Sequence, residues 1–217
     1  MLRSYSAQNL EQLVQHIEEH GFCVMDNFLP SATISALAEE AKSLKEASLM
    51  HEAGIGREHL TINKNIRGDS IYWLSNTTAT EAQRTYFEQM EKLRLNLNQH
   101  LYLGLFGLES HLAIYPVGAV YKKHLDRFAE SDPHQPQRKV TCIVYLNHDW
   151  HAEDGGQLRL YLNEPDKVTG LNLLDIAPIG GRAVVFLSDT FFHEVLPATS
   201  ARLSLTGWFL TRSESID

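Results

Sequence analysis

Residues 182–210 read RAVVFLSDTFFHEVLPATSARLSLTGWFL and contain the strongest strand signals of the chain. The segments 182–188 and 202–210 are rich in β-branched and aromatic residues, and 191–196 lies between them. Short segments of this composition, separated by turn-forming residues, predict β-strands. The C-terminal part of the chain is therefore predicted to be β-rich.

The same pattern extends upstream to residue 110. Further strands are predicted at 110–115, 119–124, 139–146, 157–162 and 171–177. Turn signals between them include Asp154-Gly155-Gly156 and Gly180-Gly181. About eight short strands in roughly a hundred residues predict a double-stranded β-helix, or jelly roll, in which two sheets enclose a pocket.

The N-terminal part shows helical periodicity instead. Apolar residues at helical spacing predict helices at 9–20, 31–49 and 81–103, with short strands at 22–25 and 66–74. Weak periodicity and two glycines predict a mobile loop at 50–65, which is a candidate lid over the pocket. We predict one domain over residues 1–217, mainly β with flanking helices. In it, 1–105 gives helical support and a lid, and 106–217 forms the jelly-roll core.

Composition limits the classes of function. The 217 residues carry a net charge of −8 and contain no basic run, so nucleic acid is not predicted as a partner. The sequence shows no apolar leader and no run long enough to span a membrane, so we expect a soluble, cytoplasmic protein. Its two cysteines, Cys23 and Cys142, are predicted to be buried, reduced thiols.

Four polar residues have the chemistry of a metal site. His124 and Asp126 end a predicted strand, where residues two apart point to the same side. His193 lies between two predicted strands, and Arg202 opens the next one. Two imidazoles and one carboxylate form a facial triad that leaves half of an Fe(II) shell open, and arginine can bind a carboxylate through a bidentate fork. The combination predicts an Fe(II)- and 2-oxoglutarate-dependent oxygenase.

Several motifs follow one another along the chain. They are IRGD at 66–69, YP at 115–116, HLD at 124–126, TCIVYLNHDW at 141–150, GGQLRL at 155–160, FLSD at 186–189, HEV at 193–195 and ARLSLTGW at 201–208. Together they resemble the hypoxia-inducible-factor prolyl hydroxylases, a family that includes the animal oxygen sensors. The resemblance is looser before residue 66. It implies a compact relative, similar to the bacterial members that hydroxylate a proline in elongation factor Tu.

The resemblance implies roles for further residues. Tyr145 would donate its hydroxyl to the same co-substrate carboxylate as Arg202. The residues expected to line the pocket are Tyr115, Ile143, Leu158, Val195, Thr206 and Trp208, with Trp208 towards the substrate. Asp69 and Arg138 match positions near the site entrance, where we hypothesise that they form an ion pair between two loops. The remaining histidines, His111 among them, are interpreted as ordinary surface or helix residues.

The implied reaction uses Fe(II), 2-oxoglutarate and O₂, with ascorbate as a supporting reductant. It would hydroxylate a proline in an exposed protein loop and release succinate and CO₂. Two alternatives stay open. One is an oxygenase for a free small molecule such as proline, and the other is a jelly-roll module that senses metal or 2-oxoglutarate without turnover.

Overall fold

The structure, a computed structural model, describes residues 6–54, 62–127, 135–162 and 171–212. Within these ranges the helices are α1 (Leu10–His20), α2 (Ser31–Glu46) and α3 (Glu81–Leu101). The strands are β1 (Ser6–Ala7), β2 (Phe22–Met25), β3 (His51–Glu52), β4 (Ser70–Trp73), β5 (Leu105–Tyr115), β6 (Tyr121–His124), β7 (Gln137–Tyr145), β8 (Leu158–Tyr161), β9 (Leu173–Ile176), β10 (Ala183–Leu187), β11 (His193–Val195) and β12 (Arg202–Thr211). Part of the predicted loop, 55–61, lies outside the described residues.

The strands form two sheets. The larger has the order β1-β2-β10-β7-β12-β5-β4-β3, and the smaller has the order β6-β11-β8-β9. Apart from the parallel pair β1 and β2, neighbouring strands run antiparallel. Two such sheets packed around a common interior form the jelly roll that the sequence predicts.

Strand β10 shows how the larger sheet is held on both faces. Ala183 and Val185 belong to the apolar cluster that joins this sheet to the helices. Val184 and Phe186 belong to a second cluster that lies between the two sheets. Because successive side chains point to opposite faces, a strand covered on both sides has a continuous apolar sequence. Burying each valine or phenylalanine contributes about 1.5–3 kcal/mol.

Strand β12 lies between β5 and β7 and has two different faces. Its face towards the helices carries Leu203, Leu205 and Phe209, which are buried in the helix-side cluster. Its opposite face carries Arg202, Ser204, Thr206 and Trp208, which border a cavity between the sheets. Alternation along one strand therefore joins the helical support to the polar interior of the molecule.

Local signals in the sequence account for the ends of helix α1. The Asn9 side chain accepts a hydrogen bond from the Gln12 backbone N–H, which caps the first turn. Gly21 ends the helix with φ 78°, a left-handed conformation that glycine adopts without steric cost. The predicted helix at 9–20 is thus confirmed.

The N-terminal part contributes more strand than predicted. Strands β1 to β4 all join the larger sheet, so residues 1–105 are not only helical support. The predicted strand at 66–74 is shortened to β4, because the residues before it pair with the smaller sheet instead. Arg67 forms a bridge with Tyr121, and the Gly68 N–H donates to the carbonyl of Val120.

No helix in the described part of the chain is long and apolar enough to cross a membrane. Cys23 and Cys142 are both buried, as predicted, and neither forms a disulfide within the described part of the chain. Burial raises the pKa of the Cys23 thiol to about 12, so it stays protonated and unreactive near neutral pH.

Close packing of α3 on β12 gives a first testable prediction. A Cβ atom at Gly207 would overlap the Tyr86 hydroxyl and lie 2.9 Å from Cε of Met90. Both neighbours are fully buried, so they have little room to move. We expect Gly207→Ala to lower the free energy of unfolding by about 1–3 kcal/mol, measured by urea denaturation.

The matched control is Gly107→Ala on neighbouring β5. A Cβ atom there would lie 3.5 Å from Cδ1 of Leu210, which is an ordinary contact. This variant should change the free energy of unfolding by less than about 0.5 kcal/mol. Equal losses in the two variants would show that the α3 contact does not restrict position 207.

Candidate active site

Two strands of the smaller sheet bring three potential metal ligands together. His124 ends β6 and is the register partner of His193 at the start of β11, while Asp126 follows β6 by two residues. Nε2 of His124 lies 3.6 Å from Oδ1 of Asp126, and Nε2 of His193 lies 3.6 Å from Oδ2. The three ligand atoms all lie within 4.8 Å of one another. This is close enough for them to share one ion.

Hydrogen bonds orient both imidazole rings for metal binding. Nδ1 of His124 lies 2.7 Å from the carbonyl of Lys122, and Nδ1 of His193 lies 3.1 Å from that of Phe191. A carbonyl can only accept, so each Nδ1 carries the proton and each Nε2 keeps its lone pair. Burial lowers the pKa of His193 to about 4, which keeps this ring neutral near pH 7. Neutral imidazoles and one carboxylate fit a divalent iron ion.

Two hydroxyl groups support the Asp126 carboxylate, and sequence reasoning missed both. The Thr141 hydroxyl donates a hydrogen bond to Oδ2 of Asp126 at 2.8 Å. The Ser188 hydroxyl lies 2.8 Å from the Thr141 hydroxyl. Because the Thr141 proton is used on Asp126, Ser188 donates to Thr141. Burial raises the pKa of Asp126, but the neighbouring His193 and His124 outweigh this and hold it well below its usual range. The carboxylate therefore stays ionised.

Tyr121 supports His124 from the side. The two rings are stacked, with centroids 3.5 Å apart and an interplanar angle of 16°. The Arg67 guanidinium lies 4.7 Å from the Tyr121 ring centroid and pairs with Asp69, with Nε 2.8 Å from Oδ1. Sequence reasoning missed Arg67, because its contact with Tyr121 joins segments more than fifty residues apart. It also missed the stacking of Tyr121 on His124, although these residues are only three positions apart.

The hypothesised ion pair between Asp69 and Arg138 is not formed in this structure. Asp69 is 2% exposed and pairs with Arg67, which lies two residues before it and points to the same side. Arg138 pairs with Glu109 at 3.0 Å, and its guanidinium lies 3.7 Å from the Trp208 ring centroid. Asp69 thus lies behind the site, whereas Arg138 borders its outer cleft.

The other end of the cavity holds a buried cation and an unpartnered hydroxyl. Arg202 is 1% exposed, and its Nε donates to the carbonyl of Gly156 at 3.0 Å. Its guanidinium lies 5.1 Å from the Tyr115 ring and 5.0 Å from the Tyr145 ring. Among the described residues, neither an acidic partner for Arg202 nor a hydrogen-bond partner for the Tyr145 hydroxyl is present.

A buried arginine and an unpartnered hydroxyl together fit an anionic ligand. Burial raises the pKa of Tyr145, so its hydroxyl stays protonated and can donate. Leaving a buried charge or hydroxyl without a partner costs several kcal/mol, and a carboxylate would satisfy both groups. The far carboxylate of 2-oxoglutarate has the required chemistry.

A cavity connects the two ends of the site. The six residues expected to line the pocket all border it: Tyr115, Ile143, Leu158, Val195, Thr206 and Trp208. His111 borders it too, although the sequence suggested an ordinary surface or helix residue. That interpretation is wrong, because His111 is buried on β5.

The cavity opens into a wider cleft. Trp208, His111 and Tyr121 border both spaces, and the cleft also borders His124 and Asp126, two of the three potential metal ligands. Its outer walls include His51, Glu52, Trp73, Glu109 and Arg138. The cleft thus combines aromatic, acidic and basic side chains around one opening.

Comparison with known proteins agrees with this geometry. Residues 110–210 match the model of the 2OG-Fe(II) oxygenase superfamily. Over 94% of the chain, Egl nine homolog 1 from Homo sapiens is 31% identical and prolyl hydroxylase EGLN3 from Mus musculus is 30% identical. The chain spans 47% of the first relative and 84% of the second.

Solved structures give the same result. A prolyl-4-hydroxylase from Pseudomonas putida is 41% identical with a TM-score of 0.81, covering 94% of this chain and 100% of that one. A prolyl hydroxylase from Trichoplax adhaerens, in complex with a hypoxia-inducible-factor peptide fragment, is 29% identical with a TM-score of 0.78. That match covers 92% of this chain and 90% of the other.

The chain therefore belongs to the 2OG-Fe(II) oxygenase superfamily and is a dioxygenase that uses Fe(II), 2-oxoglutarate and O₂. Within that superfamily it groups with the prolyl hydroxylases related to EGLN3.

The hydroxyl chain behind Asp126 gives a second testable prediction. Thr141→Val keeps the shape of the side chain but removes the hydrogen bond to the carboxylate. Loss of such a support to a metal ligand weakens metal affinity by about 10- to 100-fold. We expect a loss of this size for Fe(II), measured by anaerobic titration of the apoprotein.

Thr85→Val on α3 is the control, because that hydroxyl donates to the Glu81 carbonyl on an exposed helix face. It should leave Fe(II) affinity unchanged. A folded Thr141→Val protein with wild-type affinity would show that the hydroxyl does not support the metal ligand.

Proposed function

We propose that this dioxygenase hydroxylates a proline in an exposed loop of a protein, acts in the cytoplasm, and has elongation factor Tu as its substrate. The observation that carries the proposal is the wide cleft that borders His124 and Asp126, two of the three potential metal ligands. A free amino acid would need only the inner cavity, whereas a peptide segment also needs a channel beside it. The Trichoplax relative, which is described with a peptide fragment, supports a peptide substrate.

We propose that His124, Asp126 and His193 hold Fe(II), and that Arg202 and Tyr145 bind the far carboxylate of 2-oxoglutarate. When bound, Fe(II) with 2-oxoglutarate and O₂ supplies the oxidising chemistry that hydroxylates a prolyl C–H bond and yields succinate and CO₂. The chain's own residues orient the ligands and exclude water. Ile143, Leu158 and Val195 form the apolar wall between the two ends of the cavity.

The roles proposed at the substrate end follow from the cleft. Trp208 borders both the inner cavity and the cleft, so it lies where the target proline would enter. Arg138, held over Trp208 and paired with Glu109, would bind the peptide backbone or its acidic side chains. Asp69 would act only indirectly, by fixing Arg67 against Tyr121.

A jelly-roll sensor without turnover is the alternative from another class. It would bind metal or 2-oxoglutarate through the same residues, so the geometry of the metal ligands does not distinguish a sensor from an enzyme. The cleft favours the enzyme, because a sensor of small ligands needs no peptide channel. Succinate release by the iron-loaded protein would distinguish them directly.

The buried cation gives a third testable prediction. Arg202→Lys keeps the charge but loses the planar fork, so it should raise the KM for 2-oxoglutarate by roughly 10- to 100-fold, the equivalent of about 1.5–3 kcal/mol. Tyr145→Phe removes one neutral donor and should raise it by about fivefold to tenfold.

The control for the cation is Arg159→Lys. Arg159 lies on β8 and pairs with Asp175 away from the cavity, so its replacement should leave the KM unchanged. Succinate release at varied 2-oxoglutarate measures all three variants. An unchanged KM in folded Arg202→Lys protein would remove the proposed role of Arg202.

The proposed function itself is tested by mass spectrometry of the host proteome with and without the protein. We expect a mass increase of one oxygen atom on a proline, with elongation factor Tu as the first protein to inspect. Asp126→Ala should abolish the modification, because it removes one of the three ligands. Purified enzyme with Fe(II), 2-oxoglutarate and ascorbate should then hydroxylate the corresponding peptide. Turnover of free proline, with no modified protein, would instead support the small-molecule alternative.

A further inference from the structure

The burial of the polar His111 side chain serves none of the roles proposed above. It lies on β5, is 2% exposed, and neither ring nitrogen has a hydrogen-bond partner among the described residues. A buried polar group left without a partner costs about 1–3 kcal/mol, so native proteins rarely keep one without a functional reason. The other unpartnered buried side-chain atoms of the described chain belong to Tyr145 and Trp208, which face the same interior.

The sheet register places His111 between the two ends of the site. β5 and β12 pair Tyr115 with Arg202, and four residues further along they pair His111 with Thr206. At about 3.4 Å per residue, His111 is roughly 14 Å along the strand from the co-substrate end, towards the mouth of the site. It borders both the inner cavity and the outer cleft. A ligand entering from the cleft therefore passes His111.

Two tryptophans flank the His111 ring. Its centroid lies 5.1 Å from that of Trp73, at an interplanar angle of 88°, and 5.1 Å from that of Trp208, at 58°. Trp73 is 44% exposed, so it forms the rim of the cleft. We call these three rings the aromatic wall. Grooves lined by aromatic rings are a common surface for proline-containing peptides.

The charge state of His111 restricts the kind of partner it can take. Burial lowers its pKa to about 4, with Arg67 and Arg138 also lowering it, and with Asp69 and the Leu112 backbone opposing them. A neutral imidazole offers one N–H donor and one acceptor nitrogen. A proline within a peptide has no N–H and presents only its carbonyl. The contact that satisfies both groups is a hydrogen bond from the imidazole N–H to that carbonyl.

We propose that His111 is a substrate-binding residue whose imidazole N–H donates a hydrogen bond to the backbone carbonyl of the target proline, while the aromatic wall packs against the apolar side of the peptide. The inference rests on the proposed function, and it names the residues that would recognise the peptide at the mouth of the site. It also explains why a polar ring is buried beside the cavity.

The test combines a change in the enzyme with a change in the substrate. The probe is a synthetic peptide centred on the proline that becomes hydroxylated, made once with its normal amide after that proline and once with an ester. An ester carbonyl is a weaker acceptor than an amide carbonyl. In the wild-type enzyme we expect the ester to lower kcat/KM roughly fivefold to tenfold, the size of one neutral hydrogen bond.

His111→Phe keeps a ring in the aromatic wall but removes both nitrogens. We expect it to lower kcat/KM for the amide peptide by a similar factor and to remove the part of the amide–ester difference that the His111 hydrogen bond contributes. The ester also lacks the backbone N–H of the residue after the proline. Any effect of that loss should be the same in the wild-type enzyme and in His111→Phe, so it cancels when their amide–ester differences are compared. His111→Gln, which keeps an N–H donor, should restore part of the difference.

His100→Phe on the exposed face of α3 is the matched control and should behave as wild type. Urea denaturation of every variant checks that it is folded, and anaerobic Fe(II) titration of the apoprotein checks that its three metal ligands are in place. An ester effect of equal size in wild type and His111→Phe would overturn the inference, as would a wild-type enzyme that does not distinguish the two peptides. If the wild-type enzyme hydroxylates no prolyl peptide at all, the proposed function fails, and the inference fails with it.

Discussion

The two-residue repeat of strand β12 is the constraint on which the rest of the structure depends. One set of side chains packs against the helices, and the alternate set, beginning with Arg202, faces the smaller sheet. Because the side-chain period of a strand is two, the two sets cannot be adjusted independently. Gly207 in the first set lets α3 approach closely, and Thr206 and Trp208 beside it in the second set are thereby held in the cavity wall. Packing on one face thus fixes the chemistry on the other.

The interior between the sheets is unusually polar for a protein core. Arg202, Tyr145 and His111 are all buried there, and the chain satisfies them only in part. Such groups reduce stability unless a ligand completes their hydrogen bonds. By contrast, the chain itself supports Asp126, because the Thr141 hydroxyl donates to its Oδ2 and is in turn held by the Ser188 hydroxyl. The site therefore combines a metal end that the chain itself holds in place with buried polar side chains whose hydrogen bonds are completed by the co-substrate and the peptide.

Sequence patterns predicted the jelly roll and the potential metal ligands for identifiable reasons. His124 and Asp126 are two residues apart at a strand end, so local geometry alone places them on one side. Thr141 and Ser188 have no such signal, because their partners lie 15 and 47 residues away along the chain. Asp69 was matched with Arg138, although its partner is Arg67, only two residues before it. Its position indicated a charge pair, but only folding decides which cation is nearest.

The amino-acid sequence alone determined the class of fold, the types of metal ligand and their order along the chain, because these depend on periodicity and on the chemistry of single residues. Periodicity also shows that β12 has a polar face, but it does not show whether that face meets water or a ligand. Only the packing of the smaller sheet over β12 decides this, because it removes the polar face from water. The same packing buries His111 in the cavity wall, although the sequence suggested a surface residue. Burial depends on contacts between distant segments, and no local pattern encodes them.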